Sequence, residues 1–261
     1  MRTSVVIPFK NRLSTLKEAV ASVGAQVVKC DELILVNDGG EAPDLSDLQK
    51  EAGQEIEYVE RLESHGAACA RNEGARKGTG DVLCFLDSDD KWRREHLAKG
   101  LALLSDHPEV AFLATSYGPA TSTRQSHDAE GLLFIESVPE FQFGDGGSFR
   151  TSGFLIRKEA FWSVGGFDEG QDKHQDWDLA MRVWESGLVV GFNRQSTVLI
   201  DSVAEGRMSY KPNPKASLRF YNNHKEYMNR AHRWIFRKGV LKGMIKGRRL
   251  SGWGAVARMF G

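Results

Sequence analysis

The chain has 261 residues, 41% hydrophobic and 27% charged, which suits one large globular domain with an appendage and excludes a disordered chain or a small stapled scaffold. The formal charge is zero, but the sum hides a segregation: residues 207–261 carry 14 Lys and Arg against the single acidic Glu226, while residues 1–206 carry 21 against 34. No stretch approaches the ~18 uninterrupted apolar residues of a membrane span, and Met1–Phe9 lacks the basic-then-apolar form of a secretory leader, so a cytoplasmic location is the expectation. Cys30, Cys69 and Cys84 are odd in number and lack CxxC spacing, so they read as small core residues rather than a disulfide framework or a zinc site.

Thr3 to Ile7 is a continuous apolar run of strand length, after which Asn11 is placed to cap a helix from Leu13 to Ala25. Glu32 to Val36 predicts a second buried strand, closed by Asn37-Asp38-Gly39-Gly40, where glycine permits positive φ and close backbone approach. A third strand at Ile56–Val59, a small-residue helix at His65–Lys77, a fourth strand at Val82–Leu86 and a helix at Trp92–Leu104 continue the alternation. Continuous rather than alternating apolar strands separated by helices imply a largely parallel sheet covered on both faces, which binds ligands beyond the carboxyl ends of its strands. Asp38 and Asp87 both fall at such ends.

A fifth strand is expected at Val110–Thr115, followed by a stretch from Ser116 to Gly147 that matches no element. Beyond it come a strand at Gly153–Ile156, a helix at Lys158–Val164, a helix at Leu179–Glu185 closed by Gly187, and two strands at Leu188–Phe192 and Ser196–Ile200. From Pro212 onward the chain reads as helical, with Trp234, Val240, Leu241, Met244 and Ile245 on one side of a helical wheel and Lys238, Lys242, Lys246 and Arg249 on another.

The sharpest chemical signal is Asp87-Ser88-Asp89-Asp90, directly after an apolar strand. Three carboxylates in four residues repel one another unless a cation neutralises them, and hard divalent ions take carboxylate oxygens together with phosphates. The bland alternative is that Asp89 or Asp90 caps the helix expected near Trp92. Gln175-Asp176-Trp177-Asp178 opens another helix, where capping by Asp178 is again a sufficient reason for a carboxylate. In Ala70-Arg71-Asn72-Glu73-Gly74 the small residues let the backbone approach a neighbour, and Arg71 is either a partner for a base or phosphate or a solvated surface residue.

These segments follow one another in a telling order. The run Val5-Val6-Ile7-Pro8-Phe9-Lys10-Asn11, then Asn37-Asp38-Gly39-Gly40, Ala70–Gly74, Asp87–Asp90, Gly165-Gly166-Phe167-Asp168 and Asp176-Trp177-Asp178-Leu179 with Arg182 resembles the family 2 glycosyltransferases across roughly residues 3–200. The resemblance implies a GT-A fold, Rossmann-like with a mostly parallel sheet flanked by helices, over residues 1–206, and a basic helical C-terminal extension over 207–261. It further implies an inverting transferase that uses a nucleotide-sugar donor, most often a UDP-sugar, with Mn2+ or Mg2+. By that resemblance Pro8 and Phe9 line the nucleotide pocket, Asp38 reads the base, and Arg71 lies beside the nucleotide. Asp87, Ser88 and Asp89 form the DxD element, with Asp87 and Asp89 on ribose, metal and diphosphate, and Asp176 is the catalytic base.

Three departures stand out. The turn after the second strand begins with Asn37 rather than Asp, Gln175 replaces the Glu that usually precedes the base, and Ser196–Tyr210 lacks the late His of many relatives, leaving Asp201 or Glu205 as substitutes in the metal shell. On the acceptor side stand Thr151, Ser152 and Gly153, which are equally ordinary strand-edge residues, and Trp177, which either stacks on a sugar or anchors its helix. Lys173 and His174 fall on an expected mobile loop, touching the diphosphate or merely solvated.

A nucleotidyltransferase is disfavoured because Pro8–Arg12 contains no glycine for a phosphate loop, and a purely nucleotide-sugar-binding or scaffolding module because Asp176 is present. The acceptor class implied is a saccharide or lipid-linked hydroxyl in bacterial surface polysaccharide or glycolipid synthesis. Residues 230–249 are the expected contact with an anionic membrane surface, placing the protein peripherally on the inner face of the membrane, and no nucleic-acid partner is expected.

Overall fold

The computed structural model describes residues 1–119, 131–200, 212–246 and 252–260. Its first half is β1 (Thr3–Phe9), α1 (Leu13–Gly24), β2 (Glu32–Asp38), α2 (Leu45–Ala52), β3 (Glu57–Arg61), α3 (Ala67–Lys77) and β4 (Val82–Phe85). Successive side chains of a strand face opposite sides of a sheet, and here both sides are covered. Val5, Ile7 and Phe9 of β1 share one core with Leu16, Ala19, Val20 and Val23 of α1. Val6 joins the other core with Ala68, Ala70 and Ala75 of α3. That two-sided burial is why these strands appear in the sequence as unbroken apolar runs.

The second half comprises β5 (Asp90–Trp92), α4 (His96–Asp106), β6 (Val110–Pro119), β7 (Leu132–Phe134), β8 (Phe154–Arg157), α5 (Lys158–Ser163), α6 (Gln175–Glu185) and β9 (Val189–Ile200). The sheet order is β3-β2-β1-β4-β8-β6-β9-β5, with β7 added against β9. Pairing is parallel from β3 through β4, as expected, and also between β6 and β9. Antiparallel β8 wedges between β4 and β6, and β5 and β7 run antiparallel to β9, so the far half is mixed.

Several boundaries differ from expectation. Asn11 does not cap α1: it and Arg12 both adopt left-handed backbone, and the Asn11 Oδ1 accepts from the Glu41 N–H at 3.0 Å instead. The helix expected at Trp92 starts only at His96, because Asp90–Trp92 pairs with β9 and the Arg93 N–H donates to the Thr197 carbonyl. The two strands expected at 188–192 and 196–200 are one. Between Thr115↔Asn193 and Tyr117↔Val198 the register slips, so four residues of β9 bulge out where the sequence suggested a break.

The extension forms α7 (Pro214–His224), α8 (Arg230–Lys246) and α9 (Trp253–Phe260). It shares the main core: Phe220, Tyr221, Phe236 and Met259 belong to the same buried cluster as Phe85, Phe161 and Leu179. The buried seam of α8 is His232, Phe236 and Met244, with Val240 packed beside them at the same four-residue spacing. Trp234 and Ile245, expected on the apolar side, are exposed instead. Rings of Tyr221, Phe220 and Phe143 around Phe236 decide which stripe is covered.

Glycine spacing sets how closely α3 approaches the sheet. A Cβ on Gly74 would lie 2.4 Å from a methyl of Val6 and 3.0 Å from one of Val36, whereas Gly239 on α8 has open space around it. Gly74→Ala is therefore expected to destabilise by about 1–2 kcal/mol, because overpacking against stiff β-branched neighbours outweighs the gain in helix propensity. Gly239→Ala, with propensity alone acting, should stabilise by up to about 1 kcal/mol. Chemical denaturation of both variants checks the contrast, and equal midpoints would refute it.

Candidate active site

The chain leaves β1 toward β2 on one side and later returns to β4 on the other, so a crevice opens where the sheet order reverses. A cavity of about 620 Å³ occupies it. Its walls are the ends of β1 (Pro8, Phe9) and β2 (Asp38), the start of α3 (Arg71), the acidic turn after β4, the 150–152 segment and the 172–177 segment that opens α6. The early and late acidic clusters of the sequence therefore meet across one space.

The acidic turn is the electrostatic centre. Carboxylate oxygens of Asp87, Asp89 and Asp90 lie within 4.8 Å of one another. Arg71, only 5% exposed, places Nη2 2.5 Å from Asp87 Oδ1 and donates from Nη1 to Gln175 Oε1 at 2.7 Å, so one guanidinium spans from the acidic turn to the first residue of α6. Arg12 pairs with Asp89 at 3.0 Å, and buried Asp90 accepts from Ser152 Oγ at 2.6 Å. Ser152 also accepts from the Asp87 N–H through Oγ, and its carbonyl accepts from the Trp92 indole. The donor set is all hard oxygen, the chemistry that suits Mg2+ or Mn2+ rather than a soft metal.

Asp38, at the end of β2, also lines the cavity. Its carboxylate accepts from Ser64 Oγ at 2.6 Å and from the N–H groups of His65 and Gly66, with Arg61 3.4 Å away. Burial alone would raise its pKa, but these donors outweigh it and hold Asp38 below the usual carboxylate range. Gly40 is required in the turn that follows, since a Cβ there would lie 2.6 Å from the Asn11 backbone nitrogen.

Asp176 sits in the first turn of α6, where the helix N-terminus favours negative charge, and its Oδ1 accepts from the Trp177 N–H at 3.0 Å. Burial raises its pKa, and the Asp87 charge adds to that, against the opposing pull of Arg150 and Arg71. A carboxylate raised in this way is a stronger proton acceptor than one in water. His174, just before α6, stacks on Trp177 with ring centroids 4.7 Å apart, and burial with the nearby Lys173 charge pushes its pKa down to about 3, so it is neutral.

Backbone strain marks the same place. Among the described residues the non-glycine positions with positive φ are Asn11 (56°), Arg12 (55°) and His174 (65°), and all three line the cavity. Such conformations cost of order 1–3 kcal/mol each and persist where surrounding structure over-determines them.

Most of the expected site residues assemble: Pro8, Phe9, Asp38, Arg71, Asp87, Ser88, Asp89, Thr151, Ser152, Asp176 and Trp177 all line the cavity. Gly153 does not; it is packed under Thr115, whose carbonyl oxygen would lie 2.8 Å from an added Cβ. Ser152 is buried, and its side chain is engaged in holding the acidic turn. Neither Asp89 nor Asp90 caps a helix. Asp178 is not a cap either: fully buried, it pairs with Arg182 at 2.8 Å and His224 at 2.9 Å. Trp177 anchors its helix through ring contacts with Phe143 and Phe220, and it also lines the cavity. Asp201 and Glu205 lie outside the described residues. Arg12, Ser64 and Arg150 were not anticipated; only the tolerance of Asn for left-handed backbone hinted at the Asn11-Arg12 turn.

Residues 4–165 match the sequence profile of glycosyl transferase family 2. The chain is 28% identical over 195 residues to the amylovoran biosynthesis glycosyltransferase AmsB of Erwinia amylovora, covering 71% of this chain and 64% of that protein. It is 32% identical over 190 residues to the pre-mycofactocin glycosyltransferase of Mycobacterium tuberculosis, covering 70% of this chain and 39% of that one. The chain thus spans less than two thirds of the length of either relative. Among solved structures, residues 1–349 of S. aureus TarS in complex with UDP-GlcNAc superpose with a TM-score of 0.71 at 15% identity, covering 97% of this chain and 75% of that one. The mannosyltransferase PcManGT of Pyrobaculum calidifontis, in complex with GDP-Man and Mn2+, gives 0.67 at 16%, covering 98% and 79%. These likenesses establish the expected GT-A fold. With the profile matched over more than half of its length, the chain belongs to glycosyl transferase family 2.

Proposed function

We propose that this protein transfers a sugar from a nucleotide-sugar, a UDP-sugar in the first instance, to a hydroxyl of a saccharide or lipid-linked acceptor with inversion at the anomeric carbon. The observation that carries this is the convergence of Asp176 and the Asp87–Asp90 turn on one cavity, bridged by Arg71. Matched structures of the same fold hold UDP-GlcNAc in one case and GDP-Man with Mn2+ in another, which supports the donor class. The named role of AmsB in amylovoran biosynthesis supports a place in polysaccharide or glycolipid synthesis.

In this proposal Pro8, Phe9 and Asp38 bound the nucleoside end of the cavity. Arg71 and Arg12 hold the acidic turn in register, and Asp87 and Asp89 are the residues that would hold a divalent ion. When bound there, such an ion offsets the charge that develops on the diphosphate leaving group. Asp176 accepts the proton of the acceptor hydroxyl as its oxygen bonds to the anomeric carbon, while the bond from that carbon to the diphosphate oxygen breaks and the nucleoside diphosphate departs. One displacement inverts the centre, with no covalent enzyme intermediate. Gln175 cannot carry charge, so the orientation that a Glu supplies in relatives comes from its amide oxygen on Arg71. Thr151 and Trp177 form the acceptor side.

Helix α8 of the basic extension supplies the proposed membrane contact. No described helix is long and apolar enough to cross a membrane. Its outward face presents Trp234, Ile235 and Ile245, which are 57%, 45% and 62% exposed, interleaved with exposed Lys238, Lys242 and Lys246. Aromatic and aliphatic groups among lysines suit an anionic lipid interface, where each lysine contributes about 1 kcal/mol. Arg249 lies outside the described residues.

Three outcomes follow. Asp176→Asn should keep donor affinity within about twofold and lower nucleoside diphosphate release by roughly 10²–10⁴-fold, the usual scale of general-base catalysis; full turnover would remove Asp176 from its role. In a thermal-shift panel of UDP-sugars, a donor at about 100 times its dissociation constant should add about 2.7 kcal/mol of stability. That gain should shrink on removing Mn2+ or in Asp89→Ala; a gain indifferent to both would argue against a metal held by the turn. Finally, the protein should co-sediment with vesicles containing phosphatidylglycerol and not with phosphatidylcholine alone. Reversal of Lys238, Lys242 and Lys246 to Glu should abolish this, and binding unaffected by reversal and by salt would defeat the lipid contact.

A further inference from the structure

Helix α7 lies outside residues 4–165, which match the family profile, yet it makes a row of polar contacts to the segment that carries Asp176. Arg219 forms a two-pronged pair with Asp168, the shortest contact being 2.8 Å. The side chain of Gln171, fully buried, donates to the Ala216 carbonyl at 2.8 Å. His174 Nε2 and Ser217 Oγ share a hydrogen bond of 2.9 Å, with Ser217 itself buried. At the far end, His224 places Nε2 2.9 Å from Asp178 Oδ1 and Nδ1 2.7 Å from Glu185 Oε1. Carboxylates only accept, so both ring nitrogens carry protons and the buried ring is a cation clamped between two residues of α6.

We propose that α7 is a clasp that sets the position of the first turn of α6, and with it Asp176, with Ser217, Arg219 and His224 as positioning residues. The proposal rests on the role of Asp176 given above. The physical link is the His174 backbone. A histidine at φ 65° stays there only while its surroundings hold it, and its ring is held by Trp177 on one side and Ser217 on the other. Loss of the Ser217 hydrogen bond lets His174 relax toward negative φ. That rotation turns the peptide joining it to Gln175, moving both the Gln175 side chain off Arg71 and the carboxylate one residue further on. Proton transfer needs heavy atoms within about 2.6–3.2 Å, and a displacement near 1 Å can cost about a hundredfold. The donor end of the cavity, built by β1, β2 and β4, makes none of the contacts to α7, and Arg71 keeps its pair with Asp87 when Gln175 moves away, so donor binding should be spared.

The test uses the full chain. In Ser217→Ala, deuterium uptake by amides of residues 168–178 should accelerate at least about tenfold while that of α1 and α2 is unchanged, a measurement that needs no substrate. With UDP-GlcNAc or another donor that the wild type turns over with Mn2+, nucleoside diphosphate release should fall at least about tenfold in kcat with donor KM within about twofold. Arg219→Ala, at a half-exposed site where folding is not at risk, should show a smaller loss in the same parameter, restored in part by Arg219→Lys. In a His174→Gly background, where positive φ carries no strain, Ser217→Ala should have no further effect. Wild-type exchange at 168–178 with wild-type kcat in Ser217→Ala and Arg219→Ala would overturn the clasp, as would equal losses in kcat and donor affinity. Full turnover by Asp176→Asn would instead overturn the base assignment, and leaves the exchange result to decide the clasp by itself.

Discussion

Three carboxylates at the end of one strand are an unfavourable thing to build, and much of the polar structure of this protein answers to that. At 4–5 Å two like charges repel by roughly 1 kcal/mol in water and about 4 kcal/mol near a protein surface. The repulsion among Asp87, Asp89 and Asp90 is offset by groups delivered from three directions: Arg71 from α3, Arg12 from the turn after β1, and Ser152 from the segment before β8. Each depends on packing elsewhere. Arg71 is in reach because α3 lies close on β1 and β2, which Gly74 permits. Ser152 is in reach because β8 enters antiparallel beside β4. How the two halves of the sheet are joined thus determines which groups reach the acidic turn.

The same region gathers the strained backbone. Asn11, Arg12 and His174 each hold a left-handed conformation, and each is fixed by a contact across the chain: Asn11 to Glu41, Arg12 to Asp89, His174 to Trp177 and Ser217. Stability invested elsewhere in two well-packed cores is what lets these residues stay where local preference alone would not put them. The basic extension is part of that support. Its aromatic residues complete a core that already contains Phe143, Phe161 and Phe167, and its His224 cation satisfies Asp178 inside the protein. Burial alone would drive the proton off His224, but the hydrogen bonds to Asp178 and Glu185 outweigh it and hold the pKa above that of a free imidazole.

Much of the fold was legible in order and type. Strands buried on both faces show as unbroken apolar runs, which is why β1, β2 and β4 and the helices α1 and α3 stand nearly where periodicity places them, whereas the two-turn helix α2 has no counterpart in that reading. The acidic turn stands out because three carboxylates in four residues are chemically unusual, whereas a helix-opening Asp-Trp-Asp is explained by capping alone, and only the ordered run of motifs that resembles the family singles out Asp176. Less legible were β5, mistaken for the start of a helix, and the bulge in β9, mistaken for a gap, since both exist only through pairing with distant strands. The seam of α8 is legible only in part: Val240 and Met244 lie on it, but Trp234 and Ile245 do not, because a helix with glycines, lysines and aromatics on several sides has no single apolar face until a neighbour selects one.

The residues themselves determine the alternation of strand and helix, the position of carboxylates at strand ends and the segregation of charge, because all three depend on neighbours along the chain. Which side chains share a cavity is another matter. Arg12 meets Asp89 across 77 positions, Arg71 meets Gln175 across 104 and His174 meets Ser217 across 43. Such pairs form only once the cores on both faces of the sheet have closed, and no local pattern announces them, since a buried arginine and a solvated one are written with the same letter.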